Sequence, residues 1–308
     1  TPTGRLAIPL PTYAEIPLAV FPGRGVRREL DAFVPDCIHL ATEGTLGLAA
    51  RNYCVRRRLP FTTGYHTQFP EYVRARAPIP VAWTVRLLRW FHRPAARTMV
   101  PTERIREKLE GRGFANVVIW SRGVDTQLFT PEVRFDYRLP RPIWIYMGRV
   151  AVEKNIETFL DLDLPGSKVI IGDGPDRKRL EAHHADCHFL GYRFGSELAA
   201  HMAGGDVFVF PSRTDTFGIV MLEAMACGLP VAALPVDGAI DVITSERVGA
   251  LDTDLREACR RALTLERNDC RAFVEKRGWR HSTLQFERYL APRTRATAAA
   301  QPDNSASR

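Results

Sequence analysis

The 308-residue sequence predicts an α/β protein of two Rossmann-like domains, on three observations. Short apolar runs alternate with helix-patterned stretches along almost the whole chain, the pattern of parallel sheets covered by helices on both faces. A Pro- and charge-rich stretch at 130–142, inside a linker near 123–142, divides the alternation into two sets. The length suffices for two domains, and a composition 45% hydrophobic and 25% charged is ordinary for a globular chain. Ligands of such sheets bind beyond the carboxyl ends of the strands, so the cleft between the two domains is the expected site.

In the first set, strands are expected at Ala7–Leu10, Cys37–Leu40, Phe61–Thr63, Thr98–Val100 and Val117–Trp120, with helices over 45–58 and 102–112. In the second they are expected at Ile143–Met147, Lys168–Ile171, Cys187–Leu190, Val207–Phe210 and Pro230–Ala233. The accompanying helices are 153–162, 175–185, 195–203, 218–227 and 254–266. The last stretch, "PRTRATAAAQPDNSASR", lacks apolar periodicity and is expected to be disordered. No internal repeat of solenoid spacing is present.

Several classes are excluded. No apolar run reaches the ~18 residues of a membrane span. The opening "TPTGRLAIPLPTY" lacks the basic-then-apolar layout of a secretory signal; it also lacks an initiator Met, as a fragment or a processed form would. Six cysteines are scattered without a CxxC pair, which argues against a zinc site or disulfide framework and for a reduced, cytoplasmic protein. The net charge of +8 is uneven. Between Arg51 and Arg112 fourteen Arg or Lys face four Glu, so one region carries a basic excess that draws anionic partners.

The chemistry concentrates in "PSRTDTFGIVMLEAMACGLPVAA" (211–233). "DVFVFPS" reads as a buried strand, "SRTDTFG" as a loop at its carboxyl end, and "FGIVMLEAMA" as a helix with Ile219, Leu222 and Ala226 at core-facing spacing. The helix opens at Phe217, Gly218, Ile219 and Val220, whose N–H groups lie at the positive end of the dipole, and Gly218 lets a ligand approach closely. Such a terminus suits a phosphate or a polyol. The bland alternative makes Asp215 an N-cap and Glu223 a solvated helix residue.

This segment resembles the signature of the retaining GT-B glycosyltransferases of family 4, in which two acids flank seven residues before "LEAMACGLPV". Here the acids are Asp215, where the family usually has Glu, and Glu223. The resemblance implies that Asp215 reads donor-sugar hydroxyls and Glu223 the ribose. "YMGRVAVEKNIETFL" resembles the family's phosphate-binding strand–loop–helix, which assigns Arg149 and Lys154 to the diphosphate; fixed cations there lower the barrier to its departure. "VIIGDGPDRKRL" fits a strand and turn in which Gly172 and Gly174 are turn formers. "CHFLGYRFGSELAAHMAGGDVFVFPS" matches the stretch beside the nucleotide base, making Leu190, Gly191 and Arg193 candidates. "FTTGYHTQFPEYV" resembles the active-site loop and singles out His66. "VIWSRGVDTQLFTP" resembles the inter-domain connector, with Arg122 a binding candidate and Asp125 near the cleft or hinge. "WRHSTLQFERYL" resembles the final helix that crosses back. The implied domains are 1–125 (acceptor side), 126–278 (nucleotide sugar), a crossover helix at 279–291 and the tail at 292–308.

No metal or other cofactor is implied; "DLD" (161–163) reads as a solvated turn. The family's first strand and its Gly-rich loop have no counterpart, since "GRLAIPLPTYAEIPLAVFPG" resembles a later part of that domain.

"IPVAWTVRLLRWFHRPAARTMV" (79–100) carries Arg86, Arg89, Arg93 and Arg97 among Trp83, Trp90 and Phe91. Either Leu87, Leu88 and Trp90 pack into the core with the Arg side chains solvated, or the helix lies on an anionic membrane surface. Stacked single-stranded nucleic acid is disfavoured, since no nucleic-acid motif accompanies these residues. Three functions follow. The first is a retaining, metal-independent hexosyltransferase using a UDP- or GDP-linked sugar and a lipid or lipid-linked glycan, cytoplasmic and peripheral on the inner face of the membrane. The alternatives are a nucleotide-sugar-binding protein without turnover and a basic membrane-surface module.

Overall fold

The computed structural model describes residues 7–10, 13–67, 69, 70, 74 and 79–293. Part of the "FTTGYHTQFPEYV" loop and residues 294–308 of the tail therefore lie outside the described residues. Contacts divide the chain into two compact units, with residues up to 66, 79–120 and 286–293 in the first and 121–285 in the second.

In the first unit, β3 (His39–Leu40), β4 (Thr62–Gly64), β5 (Arg97–Val100) and β6 (Val117–Ile119) form a parallel sheet in that order. Helices α1 (Gly23–Phe33), α2 (Thr45–Arg57), α3 (Val81–His92) and α4 (Glu103–Gly111) accompany it. One core layer gathers Ile38, Leu40, Tyr53, Phe61 and Phe91, another Tyr65, Leu88, Val100, Ile105 and Leu109. A polar seam runs through the sheet: His92 Nδ1 lies 2.8 Å from Thr63 Oγ1 and its Nε2 3.1 Å from Glu43.

Two expectations are corrected here. The strand β1 (Ala7–Leu10) does not join the parallel sheet but pairs antiparallel with β2 (Tyr13–Ala19). Pro9 and Pro17 have no N–H to give a central ladder, and a two-stranded ribbon tolerates that loss. On α3, Leu88 and Phe91 are buried, but Leu87 (58% exposed) and Trp90 (48%) are not, and Trp83 is 73% exposed. The packed face runs through Thr84, Leu88, Phe91 and His92, at i, i+4, i+7 and i+8. The Arg51 guanidinium stacks 3.9 Å over the Trp90 ring and donates to the Trp90 and Phe91 carbonyls, which fixes the end of α3.

The second unit holds a six-stranded parallel sheet of β7 (Ile143–Met147), β8 (Ser167–Ile171), β9 (His188–Gly191), β10 (Val207–Phe210), β11 (Val231–Ala233) and β12 (Gly249–Leu251). Its order is β12-β11-β10-β7-β8-β9, a doubly wound arrangement whose order reverses between β7 and β10. "IWIYM" and "VFVF" are continuous apolar runs because both faces are covered. Ile143, Ile145, Phe208 and Phe210 enter one core layer; Trp144, Tyr146, Val207 and Val209 enter the other.

A 3₁₀ turn at Val152–Lys154 leads into α5 (Ile156–Leu160); α6 (Arg177–His183), α7 (Gly195–Ala203), α8 (Ile219–Ala226), α9 (Asp237–Val242), α10 (Leu255–Ala262) and α11 (Arg267–Glu275) follow. Two arginines of α11 tie loops and helix ends together. Arg267 donates to the carbonyls of Ala203, Gly205 and Cys227, and Arg271 to those of Thr126, Phe129 and Ala226. "DLD" lies just after α5, with Asp161 and Asp163 exposed. The connector is held against α12 (Trp279–Tyr289), where the Ser121 amide and hydroxyl each donate to Gln285 Oε1 at 2.8 Å. A Cβ on Gly123 would stand 2.8 Å from the Gly278 carbonyl oxygen, so only glycine permits that approach.

Candidate functional site

The switch point of the second sheet brings together the segments after β7 and β10. Beyond β7 the chain turns tightly: Tyr146 donates its hydroxyl to the Arg149 carbonyl at 2.7 Å, and the 3₁₀ turn ends at Asn155 in the left-handed region, φ +53°. Asparagine tolerates that conformation, and its side chain does further work. Asn155 Nδ2 donates to the Pro211 carbonyl at 3.0 Å, while Thr214 Oγ1 donates to the Glu153 carbonyl at 3.3 Å. These two bonds fasten the β7 loop to the β10 loop.

Between them Lys154 Nζ donates to Asp215 Oδ1 at 2.6 Å, with side chains only 20% and 16% exposed. Part-desolvated opposite charges hold one geometry, because solvent screening is reduced. Gly238 of α9 backs the acid's loop, where a Cβ would fall 2.8 Å from the Asp215 carbonyl oxygen. Arg149, half-buried, lies five residues before Lys154 on the same turn.

The N-cap of the helix after this loop is Gly218, at φ +77°. The N-cap alternative for Asp215 is thereby removed. Phe217, Gly218, Ile219 and Val220 present the start of α8, where backbone N–H groups have no partner within the helix. Ile219 was expected in the core and is 38% exposed, whereas Leu222 and Ala226 are buried as their spacing predicts. Packing of the following turn decides the face: Met221, Leu222, Ala224 and Met225 already fill it. Glu223 is not a solvated helix residue either; burial pushes its carboxyl up to about 7.

The remaining candidates lie on other elements. Leu190 and Gly191 end β9, the sheet edge two strands from β7 or about 10 Å away, and Gly191 is at φ +74°. Arg193 follows, held 2.9 Å from Glu197. Arg122 sits in the connector, its guanidinium pushed down to about 10 by burial, which leaves it charged at neutral pH. His66 belongs to the first unit, two residues beyond β4, with its ring 5.9 Å from that of Trp120. The sequence reading missed Asn155, Thr214 and Gly238. Asn155 alone had a signal, an Asn where a turn meets a helix.

Among the described residues, no group of three or more His, Cys, Asp or Glu could hold a metal ion, and no helix is long and apolar enough to cross a membrane.

Comparison with known proteins gives the family of the chain. Residues 3–128 match the model "Glycosyltransferase Family 4" and residues 141–268 match "Glycosyl transferases group 1". A GDP-mannose-dependent alpha-mannosyltransferase of Mycobacterium tuberculosis is 37% identical over 256 residues, 78% of this chain and 66% of that protein. Sulfoquinovosyl transferase SQD2 of Arabidopsis thaliana is 34% identical over 266 residues, 80% of this chain and 52% of that protein. The chain thus spans about half to two thirds of the length of these relatives. In fold it is similar to sucrose-phosphate synthase from Thermosynechococcus elongatus, with a TM-score of 0.73 at 22% identity over 90% of this chain and 77% of that one. It is also similar to Anabaena HepE in complex with UDP and glucose, at a TM-score of 0.66 and 16% identity over 87% and 82% of the two chains. The chain belongs to the group 1, family 4 glycosyltransferases and has their GT-B fold.

Proposed function

We propose that the protein is a retaining, metal-independent glycosyltransferase that moves a hexose from a UDP- or GDP-linked sugar to a hydroxyl of a membrane lipid or lipid-linked glycan. The observation that carries this reading is the Lys154–Asp215 pair at 2.6 Å, set at the sheet's switch point beside a helix that opens on Gly218. In this reading Lys154 and Arg149 receive the charge that grows on the leaving diphosphate, aided by the first amides of α8. Asp215 accepts hydrogen bonds from sugar hydroxyls, and Glu223 from the ribose. The end of β9 meets the base, Arg122 supports the donor, and His66 takes part in the transfer itself. GDP-mannose is the first donor to try, since several similar proteins are named as GDP-mannose-dependent.

The lipid acceptor draws support from α3. Its exposed side carries Trp83, Leu87 and Trp90 with Arg86, Arg89 and Arg93, a composition suited to the headgroup zone of an anionic leaflet. Other similar proteins are named as a phosphatidylinositol dimannoside mannosyltransferase and an alpha-monoglucosyldiacylglycerol synthase. A cytoplasmic protein peripheral to the inner face fits both observations. The test is incubation of the chain with GDP-mannose or UDP-glucose and vesicles containing phosphatidylinositol or diacylglycerol. An α-linked glycolipid, matching the donor's anomer, is expected. A β-linked product overturns the retaining mechanism, and donor binding without product favours a binding protein.

A further inference from the structure

We propose that Gly64 and Trp120 are positioning residues that hold the His66 imidazole in its working orientation. The proposal rests on the part in transfer assigned to His66 above. Gly64 closes β4, and a Cβ built there would stand 2.3 Å from His66 Nε2 and 2.7 Å from Cε1. The imidazole therefore folds back over the strand end against a bare Cα. Gly64 is required for room rather than for backbone conformation, because it is not among the positive-φ glycines.

On another side the ring meets Trp120, with centroids 5.9 Å apart and planes at 70°, an edge-to-face contact. Trp120 is itself immobilised. Its backbone N–H donates to the Val100 carbonyl at 2.8 Å, and its ring packs on Phe286 at 4.6 Å and lies 6.2 Å from His39. Between Gly64 and His66, Tyr65 is 2% exposed and donates its N–H to the Met99 carbonyl at 2.9 Å. Backbone and ring are thus both anchored to the parallel sheet before the following loop begins. A residue held this way presents its nitrogen without a search through rotamers, and misplacement by about 1 Å can cost of order 100-fold in rate.

The test uses the full chain with ring-¹³C histidine, its eight His reduced to one assignment by the resonance missing in His66→Gln. The His66 resonance is expected to shift in Gly64→Ala and in Trp120→Leu and to stay nearer its original position in Trp120→Phe, which keeps an aromatic face. GDP release from GDP-mannose is expected to fall about 10- to 100-fold in kcat in the first two variants, with KM for GDP-mannose within about twofold. An unmoved His66 resonance in both variants overturns the proposal, as does an unchanged kcat in both when His66→Gln lowers it. A His66→Gln variant with wild-type GDP release removes His66 from the reaction, and the proposal falls with that assignment rather than with the geometry.

Discussion

Glu223 is an acid in a helix whose other inward side chains are Met, Leu and Ala, and burial sets its carboxyl at about 7 against an ordinary 4.5. The folded state therefore holds a proton that the unfolded chain has already lost between those pH values. Stability from this group is present in full below about 4.5 and is lost as pH rises through 7, by roughly 3 kcal/mol in all. Urea denaturation should show wild type losing roughly 2 kcal/mol or more relative to Glu223→Gln between pH 5 and pH 8. A constant difference across that range would remove the shifted carboxyl. Because a carboxylate accepts more hydrogen bonds from ribose than a carboxylic acid does, donor affinity should rise over the same range in wild type and not in Glu223→Gln. Lys154→Met removes the cation 2.6 Å from Asp215, and denaturation should show a loss of about 1–2 kcal/mol together with weakened donor binding.

At the scale of elements, the site is a meeting of two strand ends, and its tolerance is set by backbone approach. Gly172, at φ +135°, would place a Cβ 2.0 Å from the Gly148 carbonyl oxygen, so Gly172→Ala must move either the end of β8 or the turn after β7. A loss of about 2 kcal/mol or more, read as a lowered denaturation midpoint, is expected. Arg271→Leu should cost about 2–4 kcal/mol, because it strips a charged donor from three carbonyls.

The strands β7, β8 and β10 were legible because a parallel sheet buried on both faces leaves uninterrupted apolar runs in the sequence. Of the β1–β2 ribbon, Ala7–Leu10 was read as a strand, but its partner Tyr13–Ala19, interrupted by Pro17, was not, and so the antiparallel pairing was missed. Helices α1 and α11 were also missed: each buries only one or two side chains, Val26 in α1 and Cys270 and Val274 in α11, so their apolar stripes are thin. The acids of the site were visible in their spacing. Their roles as an ion-pair member and a buried carboxyl depend on Lys154 and on burial, which no local window contains.

For the whole molecule, both units carry a family match, residues 3–128 and 141–268; the proposed donor site lies in the second unit, while the exposed α3 side, part of the basic region, lies in the first. Charge reversal at Arg86, Arg89 and Arg93 should reduce sedimentation with phosphatidylglycerol vesicles strongly at low salt while leaving nucleotide-sugar binding intact. Equal sedimentation of variant and wild type would remove the membrane-surface reading. The measurement closest to the central claim is a thermal-shift titration with UDP, GDP, UDP-glucose and GDP-mannose on the chain and on Lys154→Met and Glu223→Ala. A ligand held only by the folded state raises the melting temperature by mass action. Stabilisation by one nucleotide family, lost in both variants, is the predicted result; no stabilisation by any of the four, or stabilisation that survives both substitutions, would contradict the donor site.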